Sequence, residues 1–229
     1  MQRLVAATPS RCAVCGAWPA EPVCGGCVQR FIRARPRCVQ CALPVPGGVG
    51  TCGRCLREPP PLDRCIAAVD YRYPWDGLVT QFKFHDQPGW AAPLAQLLRS
   101  APGADALVGE ADLVVSMPLA RERLARRGFN QALAIARRLA PARTEAGLLL
   151  RLRDTTPQAA LDRKQREVNV RGAFAVDPLQ AARVRGRQLL IVDDVMTSGA
   201  SLYAAARVLR EAGAAGVSAL VIARTEEPD

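Results

Sequence analysis

The sequence predicts an α/β protein: a parallel sheet flanked by helices, preceded by a small cysteine-rich module. Three observations carry this expectation. From Cys65 onward, strand-like apolar segments alternate with helix-like ones, the order from which parallel sheets are built. The stretch "QLLIVDD" (188–194) is a continuous apolar run, as in strands covered on both faces. All nine cysteines lie between Cys12 and Cys65, so the chain changes character near residue 62.

A length of 229 residues suits one ordinary domain plus an accessory module, and 49% hydrophobic residues support a proper core. No run of eighteen apolar residues lacks a charge, so no membrane span is expected. The opening "MQRLVAATPSRCAVC" lacks the apolar stretch of a signal peptide, and a soluble, cytoplasmic protein is expected. The formal charge of +10 is carried by arginine, since Lys83 and Lys164 are the only lysines. Arginine's planar fork suits phosphate oxygens, of a small ligand or of nucleic acid. Coding bias in a GC-rich genome produces the same excess, so charge alone decides little.

Residues 1–62 read as a module of their own, joined to a domain at 63–229 through the stiff stretch "REPPPLDRC". Eight cysteines form four C-x-x-C pairs: Cys12/Cys15, Cys24/Cys27, Cys38/Cys41 and Cys52/Cys55. Each such turn sets two thiolates on one side of a tight loop, as two corners of a tetrahedron around Zn²⁺. Disulfides fit poorly with a reducing compartment, and four redox dithiols in series are implausible. The spacing leaves the combination open: neighbouring pairs can join, or alternate pairs can cross-brace. Cys65 stands apart and reads as a buried strand start. Between the second and third pairs, "QRFIRARPRC" places Arg30, Arg33, Arg35 and Arg37 around Phe31, a pattern that suits a nucleic-acid backbone or simply a solvated face.

Along the second part, "CIAAVDYRY" reads as a strand, with "WDGLVTQFKF" and "WAAPLAQLLRS" as helices. "ADLVVSMP" is a short strand ended by Pro118. "RERLARRGFNQALAIARRLA" is a long helical run with an irregularity at Gly128. "GLLLRLR" and "RGAFAV" read as strands, followed by "QLLIVDD", the helix "GASLYAAARVLREAG" stopped at Gly213, and a last strand "GVSALVIAR".

In parallel sheets, ligands bind at the carboxyl ends of strands, which is where Asp193 and Asp194 fall. Adjacent carboxylates in a half-dry site raise each other's pKa, and something must offset that cost. After them "VMTSGAS" offers the hydroxyls of Thr197, Ser198 and Ser201, a turn at Gly199 and a helix start. That is a cradle for a terminal phosphate. It is neither a Walker loop nor a GxGxxG turn. A phosphate pocket beside two carboxylates suits a sugar phosphate, with Mg²⁺ and arginines balancing the acidic pair.

This stretch resembles the signature of the type I phosphoribosyltransferases, which bind 5-phosphoribosyl 1-pyrophosphate (PRPP). "SMPLARERLARRGFNQA", "TTPQAALDRKQREVNVRGAF" and "LVTQFKFHD" extend the resemblance over nearly the whole chain to the ComF family, which joins a double zinc ribbon to such a domain. The resemblance implies that Asp193 and Asp194 meet the ribose hydroxyls and that Val195, Met196, Thr197, Ser198, Gly199, Ala200 and Ser201 surround the 5′-phosphate. It implies a pyrophosphate loop at Ser116, Met117, Pro118 and Leu119, where relatives usually have Val in place of Met117. Arg123 and Arg127 would clamp pyrophosphate oxygens, with Asn130 and Gln131 assisting. Residues 155–171 match the position of a closing lid, with Gln158 and Arg166 as its functional residues and Arg163, Lys164 and Asn169 beside them. Lys83 is a candidate neighbour of the ligand. The single histidine, His85, reads as a surface or structural residue.

Three functions fit. The chain is a Mg²⁺-dependent phosphoribosyltransferase of unidentified acceptor, or a sensor that binds PRPP or a nucleotide without turnover. Alternatively it is a single-stranded DNA-handling factor working with a helicase-like competence protein, since the family is linked to DNA uptake.

Overall fold

The computed structural model describes residues 10–32, 34–84, 87–153 and 170–226. The cysteine-rich segment carries two short helices, α1 (Gly25–Phe31) and α2 (Gly53–Arg57). Five strands follow in one sheet: β1 (Cys65–Asp70), β2 (Leu113–Ser116), β3 (Thr144–Glu145), β6 (Gln188–Met196) and β7 (Gly216–Arg224). All their pairings are parallel, in the order β1-β7-β6-β2-β3. Parallel neighbours need crossovers. These are α3 (Trp75–Phe84), α4 (Ala91–Arg99) and α5 (Ala104–Glu110) from β1 to β2, α6 (Arg121–Arg127) and α7 (Gln131–Leu139) from β2 to β3, and α8 (Ala200–Glu211) from β6 to β7. The predicted α/β class stands.

Some elements differ from expectation. The long helical run is two helices: Gly128 takes φ +71° after donating its amide to the Leu124 carbonyl, and Asn130 then caps α7. "GLLLRLR" and "RGAFAV" form β4 (Leu149–Arg151) and β5 (Phe174–Val176), but they pair antiparallel with each other, outside the main sheet. Helix α5 and the two-residue β3 had no periodic apolar signal long enough to announce them.

The two-residue period of β6 divides the core. Leu189 and Ile191 join Val217, Ala219 and Val221 of β7 under Leu202, Ala205 and Leu209 of α8. Leu190 and Val192 face the opposite way, toward Phe82, Leu98 and Ile135. With both faces covered, β7 is buried along its whole length, which explains its apolar run from Ala219 to Ala223.

The cysteine-rich segment is built into this core. Cys38, Cys41 and Cys55 belong to the α8 side, while Val28 and Phe31 pack against the other. The Cys65 amide donates to the Val39 carbonyl (2.7 Å), so the segment covers the edge strand β1. Cys65 itself is buried as expected, and burial pushes its thiol up to about 12.

Asp70, at the end of β1, fixes this arrangement. Its carboxylate is 7% exposed and accepts from Arg35 (2.6 Å), Arg37 (2.7 Å) and Arg72 (2.7 Å). Burial alone would raise its pKa, but the hydrogen bonds from Arg35 and Arg37 outweigh it and hold the group below the ordinary carboxylate value. Two arginines of "QRFIRARPRC" are thus turned inward onto a carboxylate. Asp70→Asn is expected to destabilise the protein by about 3 kcal/mol, because it removes the buried charge that partly buried Arg37 pairs with and leaves Arg35 only Glu226. Chemical denaturation at neutral pH measures this. A depressed carboxylate stabilises above its unfolded value of 3.8 and loses that contribution as pH falls through its lower folded value. The difference between the two proteins should therefore shrink in acid.

Candidate phosphoribosyl site

Strand β6 continues past the aspartates to Met196, paired with β7 as far as Arg224. The Met117 amide donates to the Val192 carbonyl (2.9 Å), which draws the loop after β2 alongside. The aspartate pair thus faces a cleft of about 290 Å³ between the two strand ends. Lys83, the next-to-last residue of α3, places Nζ 2.8 Å from Asp194 Oδ1. It is the counter-charge that two adjacent carboxylates required. Asp193 is pushed up to about 7, first by burial and then by the charge of Asp194, with the Asp194 amide and Lys83 pulling the other way.

The loop after β6 turns at Gly199, which has φ +84°. A Cβ there would lie 2.6 Å from both Met196 Cε and Tyr203 Cζ, so both conformation and space demand glycine. Helix α8 begins immediately after, and its first amides have no carbonyl of their own turn to bond. Together with the helix dipole they make a candidate anion site. Ser198 is 6% exposed and its hydroxyl accepts from the Ala200 amide (3.4 Å), so it braces the helix start instead of lining the cleft. Gly199→Ala is expected to cost about 1–3 kcal/mol and to weaken phosphate binding at least tenfold. Thermal unfolding and ligand titration of one preparation report both effects.

Facing the aspartates across the cleft are Arg123 and Arg127, one helical turn apart on α6. The Arg127 guanidinium lies 4.7 Å from the Phe84 ring centroid and donates to Gln131 Oε1 (3.1 Å). Burial lowers its pKa below the ordinary arginine value, Arg123 and Arg126 add to this, and Asp194 offsets part of it. A half-dry cation among other cations is poised for an anion. Asn130 has both ends of its amide engaged: Oδ1 accepts from the Leu133 amide (3.1 Å), and Nδ2 donates to the Met117 carbonyl (3.0 Å). It holds the loop after β2 in place.

The cleft therefore gathers Asp193, Asp194, Met117, Pro118, Leu119, Arg123, Arg127, Asn130 and Gln131 with Val195, Met196, Thr197, Gly199, Ala200 and Ser201. Ser116 and Ser198 are buried behind it. Gln158, Arg163, Lys164, Arg166 and Asn169 lie outside the described residues, as do His85 and Arg33. Arg151 of β4 and Tyr71 also line the cleft and were not singled out in the sequence. They come from distant segments with no motif of their own.

Among the described residues, Cys12, Cys15, Cys24 and Cys27 form one group, and Cys38, Cys41, Cys52 and Cys55 form another, each with all Sγ atoms within 4.8 Å of one another. Neighbouring pairs combine, which resolves the open pairing. A tetrahedral Zn²⁺ with Zn–S near 2.3 Å requires S···S edges of about 3.8 Å. Cys12–Cys27 is 3.9 Å, Cys15–Cys24 is 3.7 Å and Cys41–Cys52 is 3.6 Å. Burial alone would raise the thiols of Cys12 and Cys38. Backbone amides, led by those of Cys24 and Cys52, outweigh it and bring the two to about 6 and about 7, so each cluster contains a thiol ready to ionise. Both clusters suit a structural zinc ion.

Residues 4–56 match the double zinc ribbon domain, and residues 124–228 match the phosphoribosyl transferase domain. The fold and site therefore define a phosphoribosyltransferase-type domain fused to a pair of zinc ribbons. The chain is 32% identical to DNA utilization protein YhgH of Escherichia coli (strain K12), over 89% of its length and 90% of that protein. It is 28% identical to Competence protein F of Haemophilus influenzae, with 88% and 90% covered. Adenine phosphoribosyltransferase of Mycobacterium avium is 29% identical over 72% of this chain and 84% of its own. The chain belongs to the ComF family. No helix among the described residues is long and apolar enough to cross a membrane.

Proposed function

We propose that this protein binds PRPP with Mg²⁺ and transfers its phosphoribosyl group to an acceptor in the handling of DNA or its components. The observation that carries the reading is the convergence of a glycine-turned anion cradle, two carboxylates and four cations on one cleft. In this reading the amides of Thr197, Ser198, Gly199 and Ser201 take the 5′-phosphate. Asp193 and Asp194 accept hydrogen bonds from the ribose hydroxyls. Arg123 and Arg127 hold the pyrophosphate and neutralise charge as it leaves C1. The cleft's carboxylates are few, and Asp194 is already paired with Lys83. That donor set suits a Mg²⁺ carried largely on the ligand's own oxygens, the usual habit of this ion. When bound, the ion would offset pyrophosphate charge.

The DNA-related context comes from the names of the relatives, DNA utilization protein and Competence protein F. A direct grip on single-stranded DNA is less favoured, because Arg35 and Arg37 are committed to Asp70. The test is calorimetric titration of PRPP and Mg²⁺ into zinc-loaded protein. Saturable binding followed by pyrophosphate release with an acceptor supports the enzyme. Binding without release under any acceptor supports a sensor. No binding by the folded protein overturns both.

A further inference from the structure

The phosphate loop is held from behind by two arginines that line up with the second cysteine cluster. Arg224, at the end of β7, is wholly buried. Its Nε donates to the Cys41 carbonyl (2.9 Å), and its Nη1 donates to the carbonyls of Met196 (3.2 Å) and Thr197. Arg54 lies within the knuckle between Cys52 and Cys55 and donates from Nη2 to the Ser198 carbonyl (3.0 Å). Three successive carbonyls of the loop, Met196, Thr197 and Ser198, are thus drawn toward the cysteine cluster. In a trans peptide the C=O of one residue and the N–H of the next point in opposite directions. Pulling those carbonyls back aims the amides of Thr197, Ser198 and Gly199 away from the cluster, and Thr197 and Gly199 line the cleft. No comparable link joins the first cluster to the loop among the described residues.

We propose that Arg224 and Arg54 are positioning residues for the phosphate cradle, which makes the second cysteine cluster, and not the first, part of the ligand site's scaffold. The assignment of the ligand rests on the PRPP reading above, but the orientation of the amides does not. The cluster fixes the Cys41 carbonyl and the place of Arg54. The guanidinium groups pass that placement to the loop, so a disturbed second site loosens the grip on phosphate from a distance.

The experiment uses the full-length zinc-loaded protein and the variants Arg54→Ala and Arg54→Lys, with Arg224→Met as a harsher arm. Zinc content and circular dichroism check that each variant is intact. Arg54→Ala is chosen because the residue is only partly buried and its loss opens no large cavity. Loss of one charge-assisted hydrogen bond to the loop should speed hydrogen exchange of the Thr197–Gly199 amides about tenfold, with Arg54→Lys recovering part of the protection. PRPP and ribose 5-phosphate should both bind about tenfold more weakly to Arg54→Ala, while inorganic pyrophosphate, which does not need the cradle, binds as before. Unchanged exchange at these amides in a folded, zinc-replete Arg54→Ala protein overturns the proposal. So does an equal loss for pyrophosphate and ribose 5-phosphate. If the wild-type protein binds neither PRPP nor ribose 5-phosphate, the functional reading fails, and the exchange measurement still decides this one.

Discussion

Asp193→Asn is expected to weaken ligand binding and at the same time make the protein more stable. The affinity loss follows from replacing a charged acceptor for ribose hydroxyls by a neutral amide, worth about 10- to 100-fold. The gain in stability follows from linkage. Asp193 has its folded pKa raised to about 7 against 3.8 for the free side chain, by burial and by the neighbouring Asp194. Between these values the folded chain binds more protons than the unfolded one, so stability falls as pH rises through that window, and the penalty is complete above it. Asparagine cannot ionise and escapes it. At pH 8 the variant should be more stable, by an amount on the order of 1–3 kcal/mol, and so unfold at higher temperature, and near pH 4 the two proteins should converge. Thermal melts at both pH values, paired with PRPP titration at pH 8, check the prediction. A variant that loses stability at pH 8 would show that the carboxylate is structural, and that its cost is already met by its partners.

The same ledger explains what the sequence could and could not say about the site. The cradle was legible because its parts are contiguous: a continuous apolar strand, two acids, a glycine turn and a helix start form one local sentence from Leu189 to Ser201. The loop after β2, whose Met117, Pro118 and Leu119 line the cleft, entered the candidate site only through resemblance, since "SMPL" has no composition that points to an anion. Lys83 stood out for its rarity, but its contact with Asp194 depends on the packing of α3 beside β6, 111 positions away. Arg151, Arg54 and Arg224 were silent for the same reason. Nothing distinguishes a buried arginine at the end of a strand from the many exposed arginines of a basic chain until the fold is known. Asn130 carries a different lesson. Its place in "RRGFNQ" is conspicuous, and its side chain is occupied by a helix cap and a loop carbonyl. A residue can belong to a site's motif by holding the site's shape.

The two cysteine clusters are expected to differ sharply in what their loss does. Cys41→Ser should unfold the protein as a whole, whereas Cys15→Ser should release one zinc ion and leave the main unfolding transition and PRPP binding largely in place. The reason lies in where the sulfur atoms sit. Cys38 and Cys41 are fully buried and Cys55 nearly so, and all three share one core with Leu189, Val217 and Leu202 under α8. Cys15 is exposed and Cys24 only partly covered; Cys12 and Cys27 are buried but belong to neither main core, and the segment around them meets the second core through the partly buried Val14, Val23, Val28, Phe31 and Ile32. A structural zinc site contributes on the order of 10 kcal/mol to folding, about as much as the whole net stability of a domain. Spent inside the shared core, that sum cannot be lost locally. Zinc content of the purified variants, read beside their thermal transitions, tests the asymmetry. Equal damage from both substitutions would mean that the two ribbons fold as one unit with the sheet.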